Sequence, residues 1–210
     1  MSMSREVILV PGLWMAGFAM LRLGAHLSRC GLRCHTFGYS GRARPLAAHA
    51  ERLARFARSI GPAGYVAHSL GGLAVLEMLE AERSLEVGAV VLLGAPARGS
   101  LSGRRLARAG IGRWMLGESA PLWEEGRRAR WTRPEPLGVI AGTLPIGLGL
   151  LLGSLPGAND GVVRVEETEV EGMRERLLLP VSHSAMLLSA RVAAQCAAFL
   201  RAGRFDALAR

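Results

Sequence analysis

A short apolar run that ends in a serine and two glycines constrains this chain most strongly. Residues 65–67 read Tyr-Val-Ala, residues 68–72 read His-Ser-Leu-Gly-Gly, and an amphipathic stretch continues to residue 82. That order predicts a strand, a sharp turn at Ser69 and a helix. In the pattern G-x-S-x-G such a turn exposes a nucleophilic serine, and here Ala67 replaces the first glycine. The alternative role of Ser69 is that of an ordinary helix cap.

Two later segments each place a polar side chain just after an apolar run. Asp160 follows the run 137–141 and a long loop, and His183 follows three leucines at 177–179. Because ligands bind beyond the carboxyl ends of parallel strands, these side chains are expected to meet Ser69 there. A serine hydroxyl needs an adjacent base, which His183 would supply while Asp160 orients its imidazole. Glu166 and Glu167 are the alternative acids.

Four segments together resemble the α/β-hydrolase superfamily, in particular its small bacterial lipases and esterases. Residues 7–14 (VILVPGLW) resemble its first strand and oxyanion turn, with Pro11 where a histidine often stands. Residues 93–100 (LGAPARGS) resemble its G-T-P-x-x-G-S segment, with Ala95 for the threonine, and the acid and base segments follow in the family's order. The resemblance covers about residues 6–200. It implies an oxyanion hole formed by the backbone N–H groups of Leu13 and Leu70.

Alternating strand-like and helix-like segments predict a single α/β domain over residues 1–210, with a mainly parallel sheet of about six strands flanked by helices. The expected strands are 6–10, 32–37, 65–67, 87–93, 137–141 and 176–180, and the expected helices are 16–29, 46–60, 70–83 and 184–201. A helical insert is expected after the fourth strand, over about residues 98–135, as a cap or lid.

The charge of the chain is concentrated in this insert. The formal net charge is +9, all 26 basic residues are arginines, and residues 98–133 hold nine arginines, three glutamates and three of the four tryptophans. Such a segment suits a lid over the pocket, a contact with anionic lipid headgroups, the attraction of an anionic substrate, or a solvated helix pair. No nucleic-acid-binding module is recognisable, so nucleic acid is not expected as a partner. Trp14, Leu144 and Trp114 are the candidate pocket residues.

The remaining signals concern compartment and cofactors. Cys30, Cys34 and Cys196 form an odd set without metal-ligand spacing, and the chain shows no secretory signal, so a cytoplasmic protein with free thiols and no metal is expected. The sequence leaves a disulfide between Cys30 and Cys34 open. The uncharged stretch 139–156 is interrupted by glycines and prolines, which predicts a strand and an apolar loop rather than a membrane span.

These observations predict an enzyme that cleaves carboxylic esters through an acyl-enzyme and requires no cofactor. Its partner would be a small-molecule ester with a hydrophobic acyl or alcohol group, and peripheral membrane contact and the oligomeric state stay open. The alternatives are a thioesterase or acyltransferase on the same triad, or a non-catalytic membrane- or partner-binding module that uses the basic, tryptophan-rich insert. His26, His35 and His49 are expected to be structural or solvated. His68 adjoins Ser69 but is expected to point away from it, and either to pack in the core or to contact a residue of the site.

Overall fold

The protein is described by a computed structural model over residues 5–12, 20–38, 45–108, 129–147 and 153–207. Within these ranges six strands form one entirely parallel sheet in the order β2-β1-β3-β4-β5-β6. The strands are β1 (Glu6–Val10), β2 (Arg33–Thr36), β3 (Ala63–His68), β4 (Val87–Leu93), β5 (Leu137–Gly142) and β6 (Glu175–Leu179). The predicted fold class is confirmed.

Helices cover both faces of the sheet. The helices are α1 (Leu21–Arg29), α2 (Leu46–Ile60), α3 (Leu70–Ala81), α4 (Leu101–Arg108) and α5 (Ala190–Ala202). Because successive strand side chains point to opposite faces, Val7 packs with α1 and α5 in one apolar cluster, whereas Ile8 packs with α2 and α3 in the other. Both residues are essentially inaccessible to solvent. A sheet buried on both faces explains why its strands read as continuous apolar runs.

One sequence prediction of local structure is wrong. The expected helix over 184–201 is two elements, a short 3-10 helix (Ala185–Leu187) and α5, because Ser189 adopts an extended conformation and its side chain caps α5 by accepting from the backbone N–H of Val192 at 3.2 Å. The stretch 163–170, which carries the alternative acids Glu166 and Glu167, contains a 3-10 helix (Val165–Thr168) in which Glu167 is buried.

Three further expectations can be compared with the structure. Cys30, Cys34 and Cys196 are all free thiols. No helix among the described segments has the length and apolar character needed to cross a bilayer. The helical segment expected after β4 begins with α4, while residues 109–128 of that insert lie outside the described residues.

Candidate active site

Ser69 lies on the turn that joins β3 to α3. Its backbone has φ 54° and ψ −127°, and it is the only non-glycine residue with a positive φ in the described part of the chain. A conformation of this kind costs of the order of 1–3 kcal/mol and persists only where its surroundings enforce it. The enforcing contacts include a hydrogen bond from the Ser69 N–H to the Leu93 carbonyl at 2.9 Å, which ties the turn to the end of β4.

The two glycines after Leu70 are required by packing. A Cβ on Gly71 would lie 2.4 Å from the Pro11 carbonyl oxygen, and a Cβ on Gly72 would lie 2.5 Å from the Cβ of Ala95. Neither space holds a methyl group, so α3 can approach β1 and β4 only with glycine at both positions. Ala67, which replaces the first glycine of the sequence pattern, is fully buried.

Asp160 and His183 form a buried pair. The Nδ1 atom of His183 lies 2.7 Å from Oδ2 of Asp160; His183 is 8% exposed and Asp160 is 0% exposed. The other carboxylate oxygen accepts from the backbone N–H groups of Val162 at 2.9 Å and Val163 at 2.7 Å. Three N–H donors therefore fix the carboxylate. With Nδ1–H donating to it, Nε2 of the neutral imidazole is left as a proton acceptor.

Gly94 brings this pair together with the serine turn. Its φ is +54°, and a Cβ there would lie 2.9 Å from Oδ2 of Asp160 and 3.1 Å from Nδ1 of His183. The preceding residue, Leu93, accepts the Ser69 N–H. One dipeptide at the end of β4 therefore contacts the Asp160–His183 pair on one side and the Ser69 backbone on the other. The dipeptide therefore borders the Asp160 and His183 side chains and the backbone of Ser69.

His68, the last residue of β3, lies between the serine turn and the base. Its imidazole is 1% exposed, and its centroid is 4.5 Å from that of the His183 ring. Burial, followed by the proximity of His183, lowers the pKa of His68 to about 3. Its ring is therefore neutral at neutral pH. The sequence predicted that His68 packs in the core or contacts a residue of the site, but it contained no sign that this residue is His183.

Of the two predicted oxyanion donors, Leu70 lies within the described residues and Leu13 does not. Leu70 is the first residue of α3, so its backbone N–H belongs to the helix terminus that lacks partners within the helix. Gly12, at the end of the β1 segment, is so close that a Cβ on it would lie 2.9 Å from the Cβ of Ser69. Leu13, Trp14 and Trp114 lie outside the described residues.

The third predicted pocket residue, Leu144, lies at the rim of this region. Its side chain is 39% exposed, and that of Ile146 is 58% exposed. The Leu144 N–H donates to the Val181 carbonyl at 3.3 Å, two residues before His183. A Cβ on Gly161 would meet the Ile146 carbonyl oxygen at 2.6 Å. The loop after β5 therefore presents two exposed apolar side chains beside the segments that carry the acid and the base.

The alternative candidates have other partners. Glu167 accepts from the backbone N–H groups of Leu101 at 2.6 Å and Arg164 at 2.9 Å, so its carboxylate stabilises α4 and the 3-10 helix rather than His183. Glu166 is exposed and pairs with Arg164. His35 bonds to Glu6 at 2.6 Å on the edge of the sheet. The described residues contain no cluster of side chains that could bind a metal ion.

Comparisons with known proteins agree with this architecture. The sequence matches no established protein family profile and no curated protein. Among solved structures, the chain is similar to the mature lipase BlEst2 of Bacillus licheniformis (TM-score 0.71, 15% identity, covering 96% of this chain and 92% of that chain). It is also similar to a metagenomic carboxyl esterase (TM-score 0.68, 17% identity, covering 87% of this chain and 65% of that chain). A further similar structure is the pyrethroid hydrolase PytH (TM-score 0.67, 15% identity, covering 95% of this chain and 98% of that chain). The chain therefore has the α/β-hydrolase fold.

Proposed function

We propose that this protein is a serine hydrolase that cleaves carboxylic esters. One observation carries the proposal: the buried Asp160–His183 hydrogen bond of 2.7 Å borders the same dipeptide that holds the strained Ser69 turn. A histidine oriented by a buried carboxylate, next to a serine in an enforced conformation, is the arrangement that activates a hydroxyl group. A fold alone would not support this function, because α/β folds host many activities.

The reaction follows from the roles of the three side chains. Nε2 of His183 takes the proton of the Ser69 hydroxyl as its oxygen attacks the ester carbonyl, and Asp160 stabilises the resulting imidazolium. The negative oxygen of the tetrahedral intermediate would be stabilised by the backbone N–H groups of Leu70 and Leu13, each worth about 3 kcal/mol. His183 then donates the proton to the leaving alcohol. Water, activated by His183, releases the acid from the acyl-enzyme.

The substrate class is an ester with a hydrophobic acyl or alcohol group. Leu144 and Ile146 supply exposed apolar surface beside the Asp160 turn, and such surface favours apolar substrate groups. The similar structures bear the names of a lipase, a carboxyl esterase and a pyrethroid hydrolase, which supports this class. Thioesters and acyl transfer to an alcohol use the same chemistry and remain the alternatives. The free thiols fit the proposal of a cytoplasmic location.

The non-catalytic alternative depends on the arginines of residues 98–135. Several described ones already have partners within the protein. Arg98 pairs with Glu169 at 2.9 Å, Arg105 donates to the Gly153 and Ser154 carbonyls, and the half-buried Arg133 donates to three carbonyls at the end of α3 and beyond. These guanidinium groups stabilise the fold, which weakens the case for the insert as a lipid-binding surface.

Hydrolysis of p-nitrophenyl esters from acetyl to palmitoyl tests the proposal. We expect turnover by the parent protein and a loss of at least about ten-thousand-fold in Ser69→Ala, since the hydroxyl is the nucleophile. Ser59→Ala is the matched control, because this exposed hydroxyl only donates to the Phe56 carbonyl within α2 and its loss should leave the rate unchanged. An acyl-CoA series with the same variants distinguishes a thioesterase. Absence of hydrolysis of both series by the parent protein would contradict the proposal.

A further inference from the structure

The imidazole of His68 is bonded to the main chain of the candidate base. Its Nε2 lies 3.0 Å from the carbonyl oxygen of His183. Because a carbonyl only accepts, Nε2 carries the proton and donates it. The His183 main chain is then held on both sides, since its N–H donates to the Asp160 carbonyl at 2.8 Å. His68, which holds the His183 carbonyl, is the immediate neighbour of Ser69 in sequence.

The second nitrogen of His68 faces the end of β1. With Nε2 protonated, Nδ1 of the neutral ring has a lone pair, and this buried atom has no hydrogen-bond partner among the residues that the structure describes. A Cβ on Gly12 would lie only 3.1 Å from it. The ring therefore fills the space between the turn after β1 and the His183 segment. Buried polar atoms usually have hydrogen-bond partners, so a histidine at this position points to a role other than packing.

We propose that His68 is a positioning residue, which holds the main chain of His183 through its Nε2–H and thereby directs the His183 imidazole towards Ser69. This inference rests on the proposed hydrolase function. The Asp160 carboxylate fixes the rotation of the His183 ring from its Nδ1 side, and the Asp160 carbonyl holds the His183 N–H, but neither contact joins this segment to the serine turn. The hydrogen bond from His68 supplies that link from the nucleophile's own turn.

The neutral state of His68 suits this role. The His183 ring becomes an imidazolium during the proposed reaction, and its centroid is 4.5 Å from that of His68. A cation at His68 would repel that developing charge, whereas a neutral ring does not. The lowered pKa of His68, caused mainly by burial, keeps the ring neutral while it still provides a donor.

Three variants separate the donor from the bulk of the ring. His68→Gln can place an amide N–H near the position of Nε2, His68→Asn can place one only near Nδ1, and His68→Phe fills the space without a donor. We expect His68→Phe and His68→Asn to lower kcat by about tenfold to a hundredfold with KM nearly unchanged, since a small misplacement of a catalytic group has this effect. His68→Gln should recover most of the lost rate.

The Nδ1 proton of His183, observed by NMR as a far-downfield resonance, gives a readout that does not need turnover. It should be sharp in the parent and in His68→Gln, and shifted or broadened in the other two variants. Equal kcat in all three variants, whether high or low, or an unchanged resonance in His68→Phe and His68→Asn, would overturn the positioning role. A parent without esterase activity would count against the proposed function alone, and the resonance comparison would still decide this inference. If His68→Phe fails to fold, the Gln and Asn pair suffices.

Discussion

Gly94→Ala tests whether the Asp160–His183 pair is the working part of the site. Alanine at the φ of +54° observed for Gly94 costs roughly 1–2 kcal/mol. Its methyl group would lie 2.9 Å from Oδ2 of Asp160 and 3.1 Å from Nδ1 of His183, and overpacking of this kind costs roughly a further 1–3 kcal/mol. The free energy of unfolding should therefore fall by about 2–5 kcal/mol in total.

The activity should respond through the same contact. To relieve the clash, the carboxylate or the imidazole must move by several tenths of an ångström, and kcat should fall by about a hundredfold. Gly31→Ala is the matched control, because Gly31 has a φ of +80° and nothing described lies within 4 Å of a Cβ built on it. That variant should lose roughly 1–2 kcal/mol of stability and retain its activity.

Urea unfolding followed by circular dichroism gives both free energies, and p-nitrophenyl ester hydrolysis gives the rates. Stability must be measured first, so that the rates are compared in buffer where both variants are folded. If Gly94→Ala has the same kcat as Gly31→Ala, the Asp160–His183 pair tolerates displacement without loss of function. That result would contradict its role in the reaction.

Three further predictions follow from the same contacts. Asp160→Asn should fold but lose about ten-thousand-fold in kcat, because the His183 tautomer is no longer imposed; an unchanged rate would exclude the carboxylate from the reaction. Glu167→Gln should lower the free energy of unfolding by roughly 1–3 kcal/mol while leaving kcat/KM nearly unaltered, and a large loss of rate in the folded variant would restore Glu167 as a candidate acid. Gly72→Ala should cost roughly 1–3 kcal/mol through its contact with Ala95, and Ala95→Gly in the same chain should recover part of that in urea unfolding; no recovery would contradict the contact.

The regular elements were largely predictable from the sequence. The residue bounds predicted for β4 and α2 coincide with the structure, because an unbroken apolar run and a helical period of apolar residues each end at a clear boundary. The C-cap of helix α2 is Gly61, whose φ of +88° is one that glycine adopts readily. The two-element structure of residues 184–201 was missed, because the sequence interpretation placed Ser189, a residue type that often caps a helix, inside a single helix, whereas its side chain caps α5.

The candidate catalytic side chains were more predictable than the contacts that hold them in place. Ser69, Asp160 and His183 could be named because each follows an apolar run, and parallel strands bring such positions to one edge. The supporting contacts of Gly94 and His68 could not, because they depend on the paths of loops far away in sequence. No pattern near Gly94 indicates that its Cα faces a carboxylate at position 160.

The central claim is that the Ser69 hydroxyl carries the acyl group, and its most direct measurement is the site of the acyl-enzyme. The protein would be mixed with a p-nitrophenyl ester, quenched rapidly in acid, digested and mapped by mass spectrometry. We expect a stoichiometric acyl adduct on the peptide containing Ser69, formed together with a burst of p-nitrophenolate, and no adduct in Ser69→Ala. Turnover with the adduct on another residue, or turnover that survives in Ser69→Ala, would contradict this claim.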